Sequence, residues 1–103
     1  MMNTPQQNKE SIWQVVYQIP EGKIASYGQV AQQAGLPNAA RLVGNTLRNL
    51  PNGTSLPWHR VVNSQGKISR PLNSPSYLEQ KQRLISEGVV FKKDKIHRSH
   101  FVW

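Results

Sequence analysis

The sequence predicts a mostly α-helical domain with a small β wing, in a winged helix-turn-helix layout. Residues 26–50 read as two short helices joined by a tight turn that contains glycine. Two short strand-like segments around a polar turn follow them. With 103 residues, the chain is long enough for one compact domain and too short for two. We therefore expect one folded domain at 9–91, a flexible N-terminus at 1–8 and a basic C-terminal tail at 92–103.

The first helix is predicted over about residues 9–18, where apolar side chains recur at helical spacing and a Pro-Glu-Gly turn follows. The next helix begins at Ser26, because Ser26 and Gln29 have the spacing of a capping box, and Gly35 ends it. Asn38 is a candidate cap for the third helix. Its expected inner face is formed by Leu42, Val43 and Leu47.

Short strands are predicted at 60–63 and 66–69, around a turn at 64–65, and they form the expected wing. A further helix is predicted over 77–87, with Gly88 as its stop. Leu78, Leu84 and Ile85 are expected to point inward. Residues 89–91 are a candidate last strand, and the tail either packs back or frays.

The charge distribution favours a nucleic-acid partner. Thirteen Lys and Arg against five Asp and Glu give a formal net charge of +8, and residues 22–78 contain no acidic residue. A basic protein whose charge only keeps it soluble is the simpler alternative. An anionic membrane surface is disfavoured because no helix combines a basic face with a strongly apolar one. The sequence contains neither a membrane-spanning apolar run nor a signal peptide, so a cytoplasmic location is expected, on the nucleoid if the source is bacterial.

Neither a metal nor another cofactor is expected. The chain has no cysteine, which excludes disulfides and thiolate ligands. Its three histidines, His59, His97 and His100, do not have a recognised zinc spacing.

Three segments, in this order and spacing, carry a family resemblance: 26–31 (Ser-Tyr-Gly-Gln-Val-Ala), 39–44 (Ala-Ala-Arg-Leu-Val-Gly) and 57–62 (Pro-Trp-His-Arg-Val-Val). Together they resemble the C-terminal DNA-binding and active-site domain of the O6-alkylguanine-DNA alkyltransferases, over about residues 10–91. Trp58 stands where those enzymes carry their reactive cysteine. The closer resemblance is therefore to the alkyltransferase-like proteins, the non-enzymatic branch of the family. It implies binding of duplex DNA through the minor groove, flipping of O6-alkylguanine without repair, and recruitment of nucleotide excision repair proteins.

The resemblance also implies residue roles in base flipping. Arg41 matches the arginine that enters the duplex and fills the space of the flipped nucleotide, and Tyr27 matches the tyrosine that pushes on the neighbouring phosphate. Flipping costs a few kcal/mol, which such contacts must offset. Ala39 and Ala40 are small, so they allow a DNA backbone to approach closely.

The predicted lesion pocket consists of Pro57, Trp58, His59 and Arg70. The indole of Trp58 offers a stacking surface, and the resemblance implies that Arg70 packs over the flipped base. His59 and Glu87 match the general base and its orienting acid in the transferases. Without a thiol they have nothing to activate, so we expect structural roles for both and no catalytic residue.

Two rival functions remain open. A winged-helix transcription regulator fits the layout and the charge, although no dimerisation element is evident, so a monomer is expected, and Ala39 and Ala40 read bases poorly. A residual enzyme that uses His59 or a lysine as nucleophile is the second rival.

Overall fold

The structure, a computed structural model, describes residues 4–103, and its helical and small β content confirms the predicted fold class. The α-helices in this part of the chain are α1 (Pro5–Tyr17), α2 (Tyr27–Gln33), α3 (Ala40–Arg48) and α4 (Pro75–Ser86). The strands are β1 (Ala25–Ser26), β2 (Val61–Val62), β3 (Phe91–Lys92) and β4 (Lys95–Ile96), with single 3₁₀ turns at Trp58–Arg60 and Arg98–His100. Within residues 4–103, no helix has both the length and the apolar character needed to cross a membrane.

Helix α1 begins earlier than the apolar pattern predicts. Thr4 and Gln7 form a reciprocal capping box, and Pro5 occupies the first turn, where its missing N–H is not needed. Residues 5–8 are therefore helical rather than part of a flexible segment, while residues 1–3 of that segment lie outside the described residues.

The helix-turn-helix pair forms as expected, with one correction at its turn. Ser26 and Gln29 make the predicted capping box, and Gly35 follows α2 with φ of 75°. Asn38 does not cap α3: it adopts a left-handed φ of 66°, and the N-cap position falls on Ala39, which has no capping side chain. An asparagine tolerates this conformation, and here it bends the chain rather than capping the helix. Leu42, expected inside, is exposed.

The predicted two-stranded wing is wrong. Strand β2 pairs in parallel with β1, and residues 66–69 form no strand. The side-chain oxygen of Asn63 accepts hydrogen bonds from the backbone of Gln65 and Lys67, both at 2.9 Å. The carbonyl of Gly66 accepts a bond from Ile96. A local Asx turn and a tertiary contact thus use the backbone groups that a hairpin would have paired.

Helix α4 buries a different face from the one predicted. Ser74 caps it, so the helix begins at Pro75, two residues before the predicted start. Leu78 and Ile85 are 52% and 46% exposed, whereas Tyr77 and Gln80 are buried beside Leu84. Gln80 is accommodated there because its side-chain amide donates hydrogen bonds to the carbonyls of His59 and Val61.

The C-terminal segment packs back on the domain. Strands β3 and β4 form an antiparallel hairpin with positive φ at both Lys93 and Asp94, and β3 begins two residues after the predicted strand start of 89. Further on, Ile24 donates a backbone hydrogen bond to His100 and accepts one from Val102, each at 2.9 Å. Residues 92–103 are therefore integral to the fold.

The β1–β2 pair divides two apolar cores. Ala25 and Val61 face the core formed by α1, α2 and α3, while Ile24 and Val62 face the core under α4. This division follows from the alternation of side chains along a strand. The 3₁₀ turn at Trp58–Arg60 directly precedes β2, so the pairing of β2 between the two cores fixes the position of the turn.

We predict that Gly66→Ala destabilises the protein more than Gly53→Ala. Both glycines have positive φ, so each alanine bears a conformational cost of about 1–2 kcal/mol. At Gly66 the new Cβ would also lie 2.6 Å from the Ile96 carbonyl oxygen, whereas nothing lies within 4 Å at Gly53. Urea unfolding of the two variants measures the difference, and equal losses would contradict the close approach.

Candidate nucleic-acid interface

A cavity of about 420 Å³ lies where α2, α3, the 3₁₀ turn at Trp58–Arg60 and the segment after β2 meet. Because Trp58 and Arg70 of the predicted lesion pocket line it, we refer to it as the lesion cavity. No acidic side chain lines it, and three arginines do. Its wall is formed by Tyr27, Ala40, Arg41, Gly44, Leu47, Arg48, Trp58, Val61, Ser69, Arg70, Pro71 and Gln80. Such a surface suits an anionic ligand that carries a flat apolar group.

The structure brings five of the eight predicted site residues together on this wall: Tyr27, Ala40, Arg41, Trp58 and Arg70.

The other three lie elsewhere. Ala39 packs against the core of α1–α3, and Pro57 and His59 are buried beside a different cavity. The reason is the 3₁₀ turn, in which neighbouring side chains point about 120° apart. Trp58 therefore reaches the lesion cavity, while His59 points into the protein.

Tyr27 is held at the first position of α2 by the cap on Ser26, and its ring lies against Gly44 of α3. A Cβ added to Gly44 would lie 3.9 Å from two ring carbons of Tyr27 and 3.6 Å from the Arg48 guanidinium. These are ordinary van der Waals distances, so the Tyr27 ring packs on α3 at this position without requiring a glycine there. Arg48, which was not predicted, follows Arg41 by seven residues, and this spacing places both on one face of α3.

Trp58 is half-buried and has cationic neighbours. The guanidinium carbons of Arg70 and Arg83 lie 5.7 and 5.5 Å from the centre of its ring. Both distances are in the range of cation–π contacts. Arg83 was not predicted either. The only sequence signal for it was Glu79 four residues earlier, and the two side chains form a salt bridge of 3.0 Å.

Behind the cavity, the carboxylate of Glu87 joins the end of α4 to the 3₁₀ turn. It accepts hydrogen bonds from Nε and Nη2 of Arg60, at 3.0 and 2.7 Å, and from Nε2 of His59 at 2.8 Å. Arg60 also donates through Nη1 to the carbonyl of Ile19 after α1. The expectation of structural roles for His59 and Glu87 agrees with these contacts.

This network determines the charge states of His59 and Glu87. Burial lowers the pKa of His59, against the opposing effect of the Glu87 hydrogen bond and charge, so the imidazole is neutral at pH 7. Burial alone would raise the pKa of Glu87, but the hydrogen bonds from Arg60 and His59, the charge of Arg60 and, once it is protonated in acid, the charge of His59 lower it to about 2. A neutral His59 that donates from Nε2 leaves Nδ1 as a buried acceptor, which has no hydrogen-bond partner in residues 4–103. No cluster of three or more potential metal-ligating side chains occurs in the same residues.

Residues 7–89 match the family model described as the 6-O-methylguanine DNA methyltransferase DNA-binding domain. The chain is 48% identical over 93 residues to a DNA base-flipping protein of Vibrio parahaemolyticus. The aligned residues cover 89% of this chain and 91% of that protein. It is 52% identical over 81 residues to a DNA base-flipping protein of Escherichia coli. These residues cover 79% of this chain and 61% of the length of that relative.

Two solved structures of DNA complexes are similar over most of the chain. S. pombe Atl1, bound to damaged DNA containing O6-carboxymethylguanine, matches with a TM-score of 0.86 and 34% identity, over 99% of this chain and 98% of that one. Mycobacterium tuberculosis OGT in complex with DNA matches with a TM-score of 0.69 and 31% identity, over 84% of this chain and 51% of that one.

We predict that the free energy of unfolding falls as the pH drops from about 5 towards 2. The Glu87 pKa of about 2 lies below its ordinary value of 4.5, so its stabilising effect is complete above 4.5 and is lost as the carboxylate is protonated. The loss should be about 1–3 kcal/mol. Because the pKa of His59 is also lowered, its protonation in the unfolded chain reduces stability below about pH 6.5, in the same direction.

Glu87→Gln should be less stable at pH 7 and should show a flatter pH profile between 5 and 2, with Glu10→Gln, at an exposed position of α1, as the control. Urea unfolding at several pH values measures both profiles. Parallel profiles for the wild type and Glu87→Gln would show that the network does not lower this pKa.

Proposed function

Since the chain belongs to the family of the 6-O-methylguanine DNA methyltransferase DNA-binding domain, we propose that it is a sensor of DNA damage. It binds duplex DNA through the minor groove, flips O6-alkylguanine into the lesion cavity and leaves the alkyl group in place. The observation that carries this proposal is an indole, that of Trp58, on the wall of a basic cavity in a chain without cysteine.

Binding to the duplex is supported by charge. The net charge of +8 attracts the phosphate backbone, and Arg41 and Arg48 project from one face of α3 beside the cavity. Ala40, exposed at the start of α3, leaves room for the DNA backbone.

Flipping needs groups that offset the loss of stacking and pairing, which costs a few kcal/mol. Arg41 is exposed in the first turn of α3, next to the cavity mouth, and it has the length to occupy the vacated stack. Tyr27 borders the same cavity, where its phenol ring can press on the backbone of the rotated nucleotide. These two side chains therefore suit the roles that the family resemblance implies.

Holding the flipped base is assigned to Trp58 and Arg70. Base stacking on an aromatic side chain contributes about 1–3 kcal/mol, and a guanidinium over a π face about 0.5–2 kcal/mol. The cavity volume of about 420 Å³ lies within the range of ligand pockets, 300–1,000 Å³, which leaves space for an alkyl substituent on O6.

Two features of the side chains support the proposed absence of alkyl transfer. No thiolate is available as acceptor, because the chain contains no cysteine. His59 is buried and bonded to Glu87, and its free nitrogen is also buried. It is therefore not placed to attack an alkyl group in the lesion cavity.

A protein that binds a lesion and does not remove it needs a second system to complete repair. We propose that one copy of this protein binds the damaged duplex. Nucleotide excision repair proteins are then recruited to that complex. The proposed location is the cytoplasm, on the nucleoid if the source is bacterial.

The proposal predicts tighter binding to a duplex with one O6-methylguanine than to the undamaged duplex of the same sequence. Fluorescence anisotropy at two salt concentrations measures both affinities, which should fall as salt rises. Mass spectrometry of protein and DNA after incubation should show both unchanged. Equal affinities would favour a transcription regulator, and a methylated protein or a lost base would show an enzyme.

Arg41→Ala should weaken binding of the O6-methylguanine duplex about 10- to 100-fold, because the vacated stack would remain unfilled. Arg98→Ala removes the same charge from an exposed residue of the second 3₁₀ turn and serves as control. It should change the affinity much less. If the two variants bind the damaged duplex equally well, Arg41 does not enter the stack.

A further inference from the structure

Trp58 has contacts with two arginines, and the proposed lesion binding uses only one of them. Arg70 and Arg83 both place their guanidinium carbon less than 6 Å from the centre of the indole ring. A second cation at this ring requires an explanation, because two like charges near one another repel unless each is compensated.

The two arginines differ in how they are anchored. Arg70 lies in the segment without helix or strand between β2 and α4. Arg83 lies on α4, where its Nε donates a hydrogen bond of 3.1 Å to Oε2 of Glu79 and its Nη2 lies 3.0 Å from the same oxygen in a salt bridge. The Glu79 carboxylate compensates the charge of Arg83 and restricts its side chain.

The two arginines also differ in the space that they border. A second cavity, of about 250 Å³, is lined by Glu79 and Arg83 and by the loop that follows α3. Leu47, Trp58 and Arg70 line both cavities and so form the boundary between them, whereas Arg83 does not line the lesion cavity. A base that enters the lesion cavity therefore competes with Arg70 for the indole but not with Arg83.

We propose that Arg83, fixed by Glu79, is a positioning residue for lesion recognition: it holds the Trp58 indole in place from the second cavity. When a flipped base occupies the lesion cavity, Arg70 can leave the indole and contact the base, because Arg83 maintains the orientation of the ring. This inference rests on the proposed function and adds a residue that does not itself touch the lesion.

The test compares Arg83→Ala, Arg83→Met and Arg83→Lys with Arg98→Ala as a charge control. The quantity measured is the ratio of affinities for O6-methylguanine and undamaged duplex, together with its salt dependence. Arg83→Ala and Arg83→Met should lower the ratio about three- to tenfold at unchanged salt slope, because the loss is one of ring position and not of a phosphate contact. Arg83→Lys keeps the charge without the planar group and should recover part of the ratio.

Glu79→Gln should lower the same ratio in the same direction, since it releases Arg83. In the free protein, the indole N–H resonance of Trp58 in ¹H–¹⁵N spectra should shift in Arg83→Met and Glu79→Gln more than those of Trp13 and Trp103. Arg70→Ala provides the comparison for direct contact: its effect on the ratio should be smaller than additive when combined with Arg83→Met.

An unchanged ratio in all Arg83 variants would overturn the inference. So would a salt slope reduced by about one with the ratio intact, which is the signature of a phosphate contact. If the wild-type protein fails to distinguish the two duplexes at all, the proposed function itself is wrong. If the wild-type protein distinguishes the two duplexes and Arg83→Met does so equally well, only the role of Arg83 is wrong.

Discussion

The carboxylate of Glu87 accepts hydrogen bonds from two consecutive residues of one 3₁₀ turn, His59 and Arg60, and the rest of the site depends on this arrangement. Through it the end of α4, the turn and the end of α1 are joined, since Arg60 also bonds to Ile19. A buried ion pair that loses one partner destabilises a protein by about 3–5 kcal/mol, because the remaining charge stays uncompensated. This network fixes the 3₁₀ turn, and the turn directs the Trp58 side chain towards the lesion cavity.

The side chains on the cavity wall differ in the elements that carry them. Tyr27 lies on α2 and Arg41 on α3, and Trp58 lies on a turn that is hydrogen-bonded to Glu87 from behind. Arg70 belongs to a segment without helix or strand. An aromatic stacking surface on a fixed turn suits the proposed binding of a flipped base, because less conformational freedom is then lost on binding.

The residues that could be predicted from the sequence are those whose role is set locally. The capping box at Ser26 gave the start of α2, and Arg41, Tyr27 and Trp58 lie on one cavity as the family resemblance implied. The missing strand at 66–69 could not be predicted, because the competing bonds come from the Asn63 side chain and from Ile96, thirty residues away.

Contacts across the fold account for the other differences. Gln80 is buried because it donates hydrogen bonds to the carbonyls of His59 and Val61. The buried face of α4 therefore includes Gln80 and not Leu78. Arg83 lies beside Trp58 because α4 packs against the 3₁₀ turn. In the sequence, Arg83 is only the second residue of an i, i+4 pair with Glu79, a pattern typical of an exposed helix face. Long-range contacts of this kind leave no periodic signal in the sequence.

The proposed function requires this protein to hold O6-alkylguanine outside the duplex against an indole and to leave the alkyl group on oxygen. NMR of a duplex that carries a ¹³C-labelled methyl group on O6 of one guanine tests both requirements in one spectrum. Binding should shift the methyl resonance upfield through the ring current of the indole, the shift should be lost in Trp58→Ala, and the signal should remain that of an O-methyl ether over days. A methyl signal that does not move on saturation with protein, or that is replaced by one from another chemical group, would contradict the proposed function.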